Sequence, residues 1–195
     1  MSMTRQQVTL LSIFALFLAP VLLVALMRST LWQYQPEESS NRGLLVQPPV
    51  HLPLLAESAA INGKWLILYV TADNCDRRCT DDIVSLRQIH KAAGRQGQHL
   101  SIVILNTNTQ AERLQSTIES IYQEIVFIAN PPAETLASLA RISAGLAFEQ
   151  EQPTHIRTFV ADPMLNVMLA YGDNAYPGDI SKDLKRLLKW SRQDK

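Results

Sequence analysis

Two cysteines, Cys75 and Cys79, are the residues of this chain whose type and spacing could do chemistry. They are the only cysteines among 195 residues, and Asp76, Arg77 and Arg78 lie between them. In a helix, residues four positions apart share one face, so the two sulfurs could form a disulfide or bind one soft metal ion together. The charged residues between them indicate an exposed turn, which favours a reactive pair over two ordinary core cysteines.

The elements around this pair support the same interpretation. An apolar, β-branched run at residues 64–71 predicts a buried strand directly before the cysteines, and the apolar periodicity of residues 79–93 predicts a helix directly after them. The N-terminus of that helix, together with Arg77 and Arg78, would favour the thiolate form of a nearby cysteine. Thiolates serve both disulfide exchange and metal binding, so this argument does not choose between the two.

A long uncharged segment precedes the rest of the chain. From Val8 to Met27 there are twenty residues without a charge, which as a helix would span about 30 Å, the thickness of a bilayer's hydrocarbon core. A cleaved signal peptide is disfavoured because the apolar core is long and no Ala-x-Ala-like site follows. We expect a short cytoplasmic tail at residues 1–7, a transmembrane anchor at 8–27, a Pro-rich tether at 28–58 and one domain at 59–195.

The remaining pattern alternates strands and helices. After the cysteine helix, we expect a strand at 100–105, a helix at 109–121, a short strand at 125–128, a helix at 134–142, a hairpin at 156–171 and a last helix from Pro177 to Trp190. This order predicts an α/β, thioredoxin-like fold with a mixed central sheet and flanking helices, preceded by one transmembrane helix. Because 18 basic and 18 acidic residues balance, no overall field indicates nucleic acid.

Soft metals bound by two sulfurs often take an imidazole as a third ligand, so the four histidines are candidates. His51 lies in the predicted tether, His90 well along the cysteine helix, and His99 in a loop. His155 differs because it begins the strand predicted at 156–161, a position that faces the cysteine turn in thioredoxin-like folds. It is either a ligand or neighbour of the site, or an ordinary residue at a strand end.

Several runs resemble the SCO-like (SCO1/SenC-related) membrane-anchored proteins of bacterial cytochrome c oxidase assembly clusters. The resemblance is carried by the cysteine pair, the anchor and four flanking runs: residues 44–49, 63–70, 86–92 and 183–189. It implies a thioredoxin fold held at the periplasmic side of the bacterial inner membrane by a single pass. It also implies that the protein is an assembly factor for cytochrome c oxidase.

The resemblance further implies a site and partners. Cys75 and Cys79, with His155 as a metal ligand, would act as a copper(I) chaperone or as the thiol reductant of the oxidase copper site. The partner would be the copper-bearing oxidase subunit or another assembly factor. The alternatives are a general membrane-tethered thiol-disulfide oxidoreductase, which is the enzymatic possibility, and a non-catalytic scaffold with a structural disulfide. In the oxidoreductase alternative Pro153, before Thr154, resembles the cis-proline that faces the thioredoxin active site.

The chain departs from the SCO pattern at its histidine. Counting back eight residues from Asp162, as that pattern requires, gives Thr154, and His155 comes one residue late. Because successive strand residues point to opposite sheet faces, one position reverses the face. We therefore expect His155 to lie on the side of the thiols only if a bulge restores the register.

Overall fold

The computed structural model describes residues 5–28, 41–52, 60–71, 75–107, 111–149 and 155–191. The chain divides into two compact units, residues 1–39 and 40–195. In the first unit, helix α1 covers Arg5–Arg28 with Pro20 inside it. By length and composition this helix could cross a membrane, since its 24 residues extend about 36 Å.

The second unit contains six strands and four α-helices among the described residues. In chain order these are β1 (Leu44–His51), β2 (Trp65–Thr71), α2 (Arg77–Ala92), β3 (Leu100–Asn106), α3 (Ala111–Ile121), β4 (Val126–Ala129), α4 (Ala133–Glu149), β5 (Ile156–Ala161), β6 (Asn166–Gly172) and α5 (Pro177–Trp190), with a short 3-10 helix at Gly94–His99. From β2 onwards the order of elements is the one that the sequence predicts. The largest difference is α4, which extends seven residues beyond its predicted end at residue 142.

The strands form one mixed sheet in the order β1-β6-β5-β2-β3-β4. β2, β3 and β4 run parallel, while β5, β6 and β1 each pair antiparallel with their neighbour. Helices cover both faces of this sheet: α2, α3 and α5 pack on one face and α4 on the other. The predicted α/β, thioredoxin-like fold with flanking helices is therefore confirmed.

Strand β2 lies at the centre of this arrangement and carries the cysteines at its carboxyl end. Its residues alternate between the two cores: Tyr69 faces α2, whereas Leu68 faces α4. A strand buried on both faces and flanked by partners on both edges offers a rigid base. Residues 75–80, which contain both cysteines and which we call the cysteine turn, therefore follow the most buried part of the sheet.

The Pro-rich stretch before residue 59 differs from a simple extended tether. Residues 44–51 form β1, an edge strand that pairs antiparallel with β6, with a register shift between Leu45 and Val50. Pro48 and Pro49 lie within that irregularity. A proline lacks the N–H that a central strand must donate, but the outer strand of a sheet tolerates it.

Candidate functional site: the cysteine turn

The two cysteines form a disulfide at the junction of β2 and α2. Their Cα atoms are 5.1 Å apart, within the range that a disulfide requires. Of the two uses that the spacing left open, the structure therefore contains the disulfide. The predicted roles of Cys75 and Cys79 in exchange or metal binding remain proposals.

The two sulfurs differ in accessibility. Cys79 is 2% exposed and belongs to the core between the sheet and α2. Cys75 is half-buried and lies before the helix begins. Disulfide exchange needs in-line access to one sulfur, so an external partner can reach Cys75 and cannot reach Cys79 without a local opening.

The N-terminus of α2 is occupied by a carboxylate. Asp76 is the N-cap residue, and its Oδ1 accepts a hydrogen bond of 2.9 Å from the backbone N–H of Cys79. The Sγ of Cys75 lies 3.9 Å from the Oγ1 of Thr80. The helix terminus, which the sequence suggested as a stabiliser of a thiolate, is thus capped by Asp76 in the bridged structure.

The guanidinium of Arg78 is also engaged. Its Nη2 donates a hydrogen bond of 3.0 Å to the backbone oxygen of Asp173 and lies 3.5 Å from that residue's Oδ2. Asp173 follows β6, so this contact attaches the cysteine turn to the far end of the β5–β6 hairpin. Both Arg77 and Arg78 are exposed.

A small cleft of about 40 Å³ with a mixed polar and apolar lining is formed by residues of β2, α2, β5, β6 and the start of α5. Inside it, the hydroxyl of Tyr69 donates a hydrogen bond of 2.9 Å to Oδ2 of Asp82. Burial, and then the Asp82 charge, raise the pKa of Tyr69 well above its usual value, although Arg157 acts in the opposite direction. Tyr69 therefore stays protonated and serves as a fixed donor.

His155 lies at the start of β5 and is exposed. The strand has a register shift between Ile156 and Thr158, so Arg157 and Thr158 both line the cleft on the α2 side. Ile156 packs with the core on the α4 side, so continued alternation beyond the strand would direct His155 toward the α2 side. A bulge of the kind that the sequence required is therefore present, and the role of His155 as a ligand stays a prediction.

The other three histidines lie away from the cysteine turn. His51 ends β1, and His99 ends the 3-10 helix. His90 lies near the C-terminus of α2, where its Nε2 is 3.1 Å from the Leu100 oxygen and its Nδ1 is 2.9 Å from the Tyr122 hydroxyl. His90 therefore belongs to a polar cluster with Tyr122 and the Leu100 backbone. In this cluster, burial and the neighbouring Glu124 raise the pKa of Tyr122 to about 12.

The residues of the turn do not fit a metal ion while the bridge is closed. A disulfide has no thiolate to offer, and within the described ranges no three His, Cys, Asp or Glu side chains lie close enough to hold a metal. Pro153 and Thr154, which the sequence compares with the cis-proline pair of thioredoxins, lie outside the described residues. Reduction is thus a precondition for any metal binding at this site.

Three residues near the cysteines were not identified from the sequence: Tyr69, Arg157 and Asp173. Tyr69 reads as an ordinary apolar-strand residue, and Asp173 as a polar residue of a turn after Gly172. Their contacts join positions as much as 95 residues apart, and no local pattern carries that information. Only the bulge at Arg157 has a sequence counterpart, in the one-residue offset of His155.

Two comparisons relate this fold to known proteins, and a third gives nothing. A family model described as the transmembrane-like, thioredoxin-like, C-terminal domain matches residues 65–191. A search of curated proteins finds no match.

Many solved structures are similar. Copper-bound Sco1 from yeast shares 15% identity with a TM-score of 0.50, over 66% of this chain and 80% of that one. Copper-bound ScoI from Arabidopsis thaliana shares 16% identity with a TM-score of 0.49, over 68% and 87%. A thiol-disulfide oxidoreductase from Bacteroides fragilis shares 14% with a TM-score of 0.49, over 72% and 97%. The similarity to the yeast protein confirms the resemblance to SCO proteins, at a level of identity that shows the fold alone.

Proposed function

The chain belongs to the transmembrane-like, thioredoxin-like C-terminal domain family, and on that premise we propose that its two cysteines carry out thiol-disulfide exchange with other proteins, the reduced pair attacking a partner disulfide. The observation that carries the proposal is the asymmetric disulfide at the end of β2. One sulfur is accessible at the start of a helix and the other is buried behind it. This arrangement gives a nucleophile and a resolving thiol in one turn.

A purely structural role for the bridge is weakly supported. A disulfide that closes so small a loop removes little chain entropy from the unfolded state. Both residues are already held by other means, Cys79 by the core and the turn by the Asp76 cap. The bond therefore adds little stability where it stands, which favours a chemical role.

The direct test is exchange by the full chain in detergent. We expect the reduced protein to open a disulfide-linked peptide at neutral pH and to become bridged again, as measured by alkylation and mass spectrometry. The double variant Cys75→Ser with Cys79→Ser should show no turnover above the uncatalysed rate. A bridge that opens only when the protein is unfolded, with a potential below about −300 mV, would instead indicate a structural disulfide.

The finer proposal concerns place and partner. We infer that α1 crosses the bacterial inner membrane, with residues 1–7 in the cytoplasm and the domain, which extends the predicted 59–195 to residues 40–195, on the periplasmic side. A disulfide persists in that oxidising compartment, and α1 has the required length and composition. The partner would be the copper-bearing subunit of cytochrome c oxidase, whose copper-site cysteines must be reduced before metal enters, or another assembly factor.

Copper(I) delivery is the second candidate function, with copper as cargo of the reduced pair. Two observations favour it: the fold is shared with copper-bound Sco1, and β5 has a register shift next to His155, after which strand alternation would direct this side chain to the α2 face. Two thiolates and one imidazole are a suitable ligand set for copper(I). This candidate requires that the bridge first be reduced.

A titration of copper(I) into the reduced full chain, against a competing chelator, tests this candidate. We expect one copper ion per chain and an affinity at least about tenfold lower in His155→Ala, since even outer-shell partners of a metal contribute that much. The matched control is His51→Ala, an exposed histidine on β1, which should bind like the parent. Equal affinities in the parent and both variants would exclude His155 as a ligand.

A further inference from the structure

Arginines from two elements of the fold, α2 and β5, meet at Asp173. Arg78, from the cysteine turn, donates to its backbone oxygen at 3.0 Å and lies 3.5 Å from Oδ2. Arg157, from the β5 bulge, places its Nε 3.7 Å from Oδ1. The backbone N–H of Asp173 in turn donates to the oxygen of His155 at 2.9 Å. We call this group the Asp173 clamp.

The carboxylate of Asp173 is the most buried group of the clamp. The side chain of Asp173 is 16% exposed, whereas those of Arg78 and Arg157 are 52% and 43% exposed. Each carboxylate oxygen thus faces its own arginine from a partly buried position. The two carboxylate contacts are ion pairs, whereas the hydrogen bond from Arg78 to the backbone oxygen has an ionised donor, and such charge-assisted hydrogen bonds are stronger than neutral ones.

The position of Arg78 gives this clamp a chemical consequence. Arg78 lies between the two cysteines in the chain and in the first turn of α2, so a movement of that turn changes the distance between the two sulfurs. The turn is anchored through Arg78 to a residue of a different element, after β6. We propose that Asp173, acting through Arg78, is a positioning residue that keeps the two sulfurs in bridging geometry and favours the bridged form.

This inference rests on the proposed exchange function and assigns the direction in which electrons pass between the cysteine pair and its partner. The Cys75 sulfur attacks one sulfur of a partner disulfide, and the partner's other sulfur leaves with the electron pair of the broken bond. Cys79 then attacks the Cys75 sulfur and releases the first partner sulfur. Two electrons pass to the partner, which becomes a dithiol and takes up two protons, while the bridge forms. A clamp that favours the bridge makes the pair an electron donor, reloaded by a dithiol protein.

The test is the equilibrium of the full chain with reduced and oxidised glutathione. We expect Arg78→Gln to lower the equilibrium constant for bridge formation about fivefold, which raises the reduction potential by about 20 mV. Asp173→Asn should lower it by about threefold, because the backbone oxygen of residue 173 still accepts the hydrogen bond from Arg78. The double variant should show no change beyond that of Arg78→Gln, because this substitution already removes both the hydrogen bond and the ion pair. Arg157→Gln is the matched control: it loses a contact to the same carboxylate but does not touch the turn, and should change the constant less than about twofold.

Each result of the glutathione experiment either supports or contradicts the positioning role of Asp173. If Arg78→Gln and Asp173→Asn both stay within about twofold of the parent, or if their effects add in the double variant, the clamp does not position the sulfurs. If Asp173→Asn fails to fold, the comparison of Arg78→Gln with Arg157→Gln still decides, because both side chains are largely exposed. A parent protein that never equilibrates with glutathione would overturn the exchange function itself, and this inference with it.

Discussion

Cys75→Ser is expected to abolish exchange completely, whereas Cys79→Ser should retain the first step and accumulate a mixed disulfide with the partner. The reason is the difference in burial, since Cys79 is 2% exposed and Cys75 is half-buried. The sulfur that a partner can reach performs the first attack, and the buried sulfur resolves the product. Without Cys79 the mixed disulfide has no internal route to release.

Incubation of each reduced variant with oxidised glutathione, followed by mass spectrometry of the intact chain, measures this directly. We expect one glutathione per chain in Cys79→Ser and almost none in Cys75→Ser. The parent should show only the bridge. Equal labelling of the two variants would show that Cys79 becomes accessible on reduction, and the assignment of nucleophile and resolving thiol would then be wrong.

The second large effect is expected at Asp183, which is 1% exposed on α5. Its Oδ2 accepts hydrogen bonds from the backbone N–H groups of Arg42 and Gly43, at 2.8 and 2.9 Å, and from the hydroxyl of Tyr171 at 3.0 Å. Burial and the Asp183 charge raise the pKa of Tyr171 far above its usual range. This single carboxylate fastens the start of β1 to the domain.

Asp183→Ala leaves two backbone N–H groups and one hydroxyl without their acceptor in a buried place. We expect it to lower the free energy of unfolding by about 3–5 kcal/mol, measured by urea denaturation of the full chain in detergent. Cleavage by trypsin after Arg42 should accelerate as well, because the segment is released. Circular dichroism during urea denaturation would give the free energy of unfolding, and gel electrophoresis would give the rate of cleavage after Arg42.

The matched control is Asp179→Ala on the same helix. Asp179 forms ion pairs with Arg42 at 3.4 Å and with Lys182 at 3.8 Å, and its side chain is 28% exposed. Partly exposed pairs of this kind contribute at most about 1 kcal/mol. If the two alanine variants lost the same free energy of unfolding, the hydrogen bonds to Oδ2 of Asp183 would not contribute the stability predicted from their burial.

Most of the domain could be predicted from the sequence because its signals are local. Apolar runs bounded by turn residues predicted the strands from β2 to β6, and Pro177 marked the start of α5, where a helix tolerates proline. β1 could not be predicted in this way. Pro48 and Pro49 are typical of an extended linker, and only pairing with β6, more than a hundred residues later in the chain, makes the segment a strand.

The candidate site, too, could be predicted from the sequence only in part. The spacing of Cys75 and Cys79 predicts a paired function because four positions make one helical turn. The roles of Asp173 and Asp183 depend on partners that the sheet brings together. In the sequence, Asp183 lies among the basic residues of α5 and looks like part of a solvated face. Burial, which turns such a residue into an anchor, is a property of the whole fold and not of the neighbouring letters.

The bulge at Arg157 has a consequence for how related chains should be compared. The extra residue in β5 reverses the face of the residues before Thr158, and the one-residue offset of His155 reverses it again, so strand alternation gives this histidine the face that the SCO residue count requires. Removing one residue at this point would reverse that face and withdraw the Arg157 guanidinium from Asp173. Strands of related chains should therefore be aligned by the face that each side chain occupies, and not by counting residues along the chain.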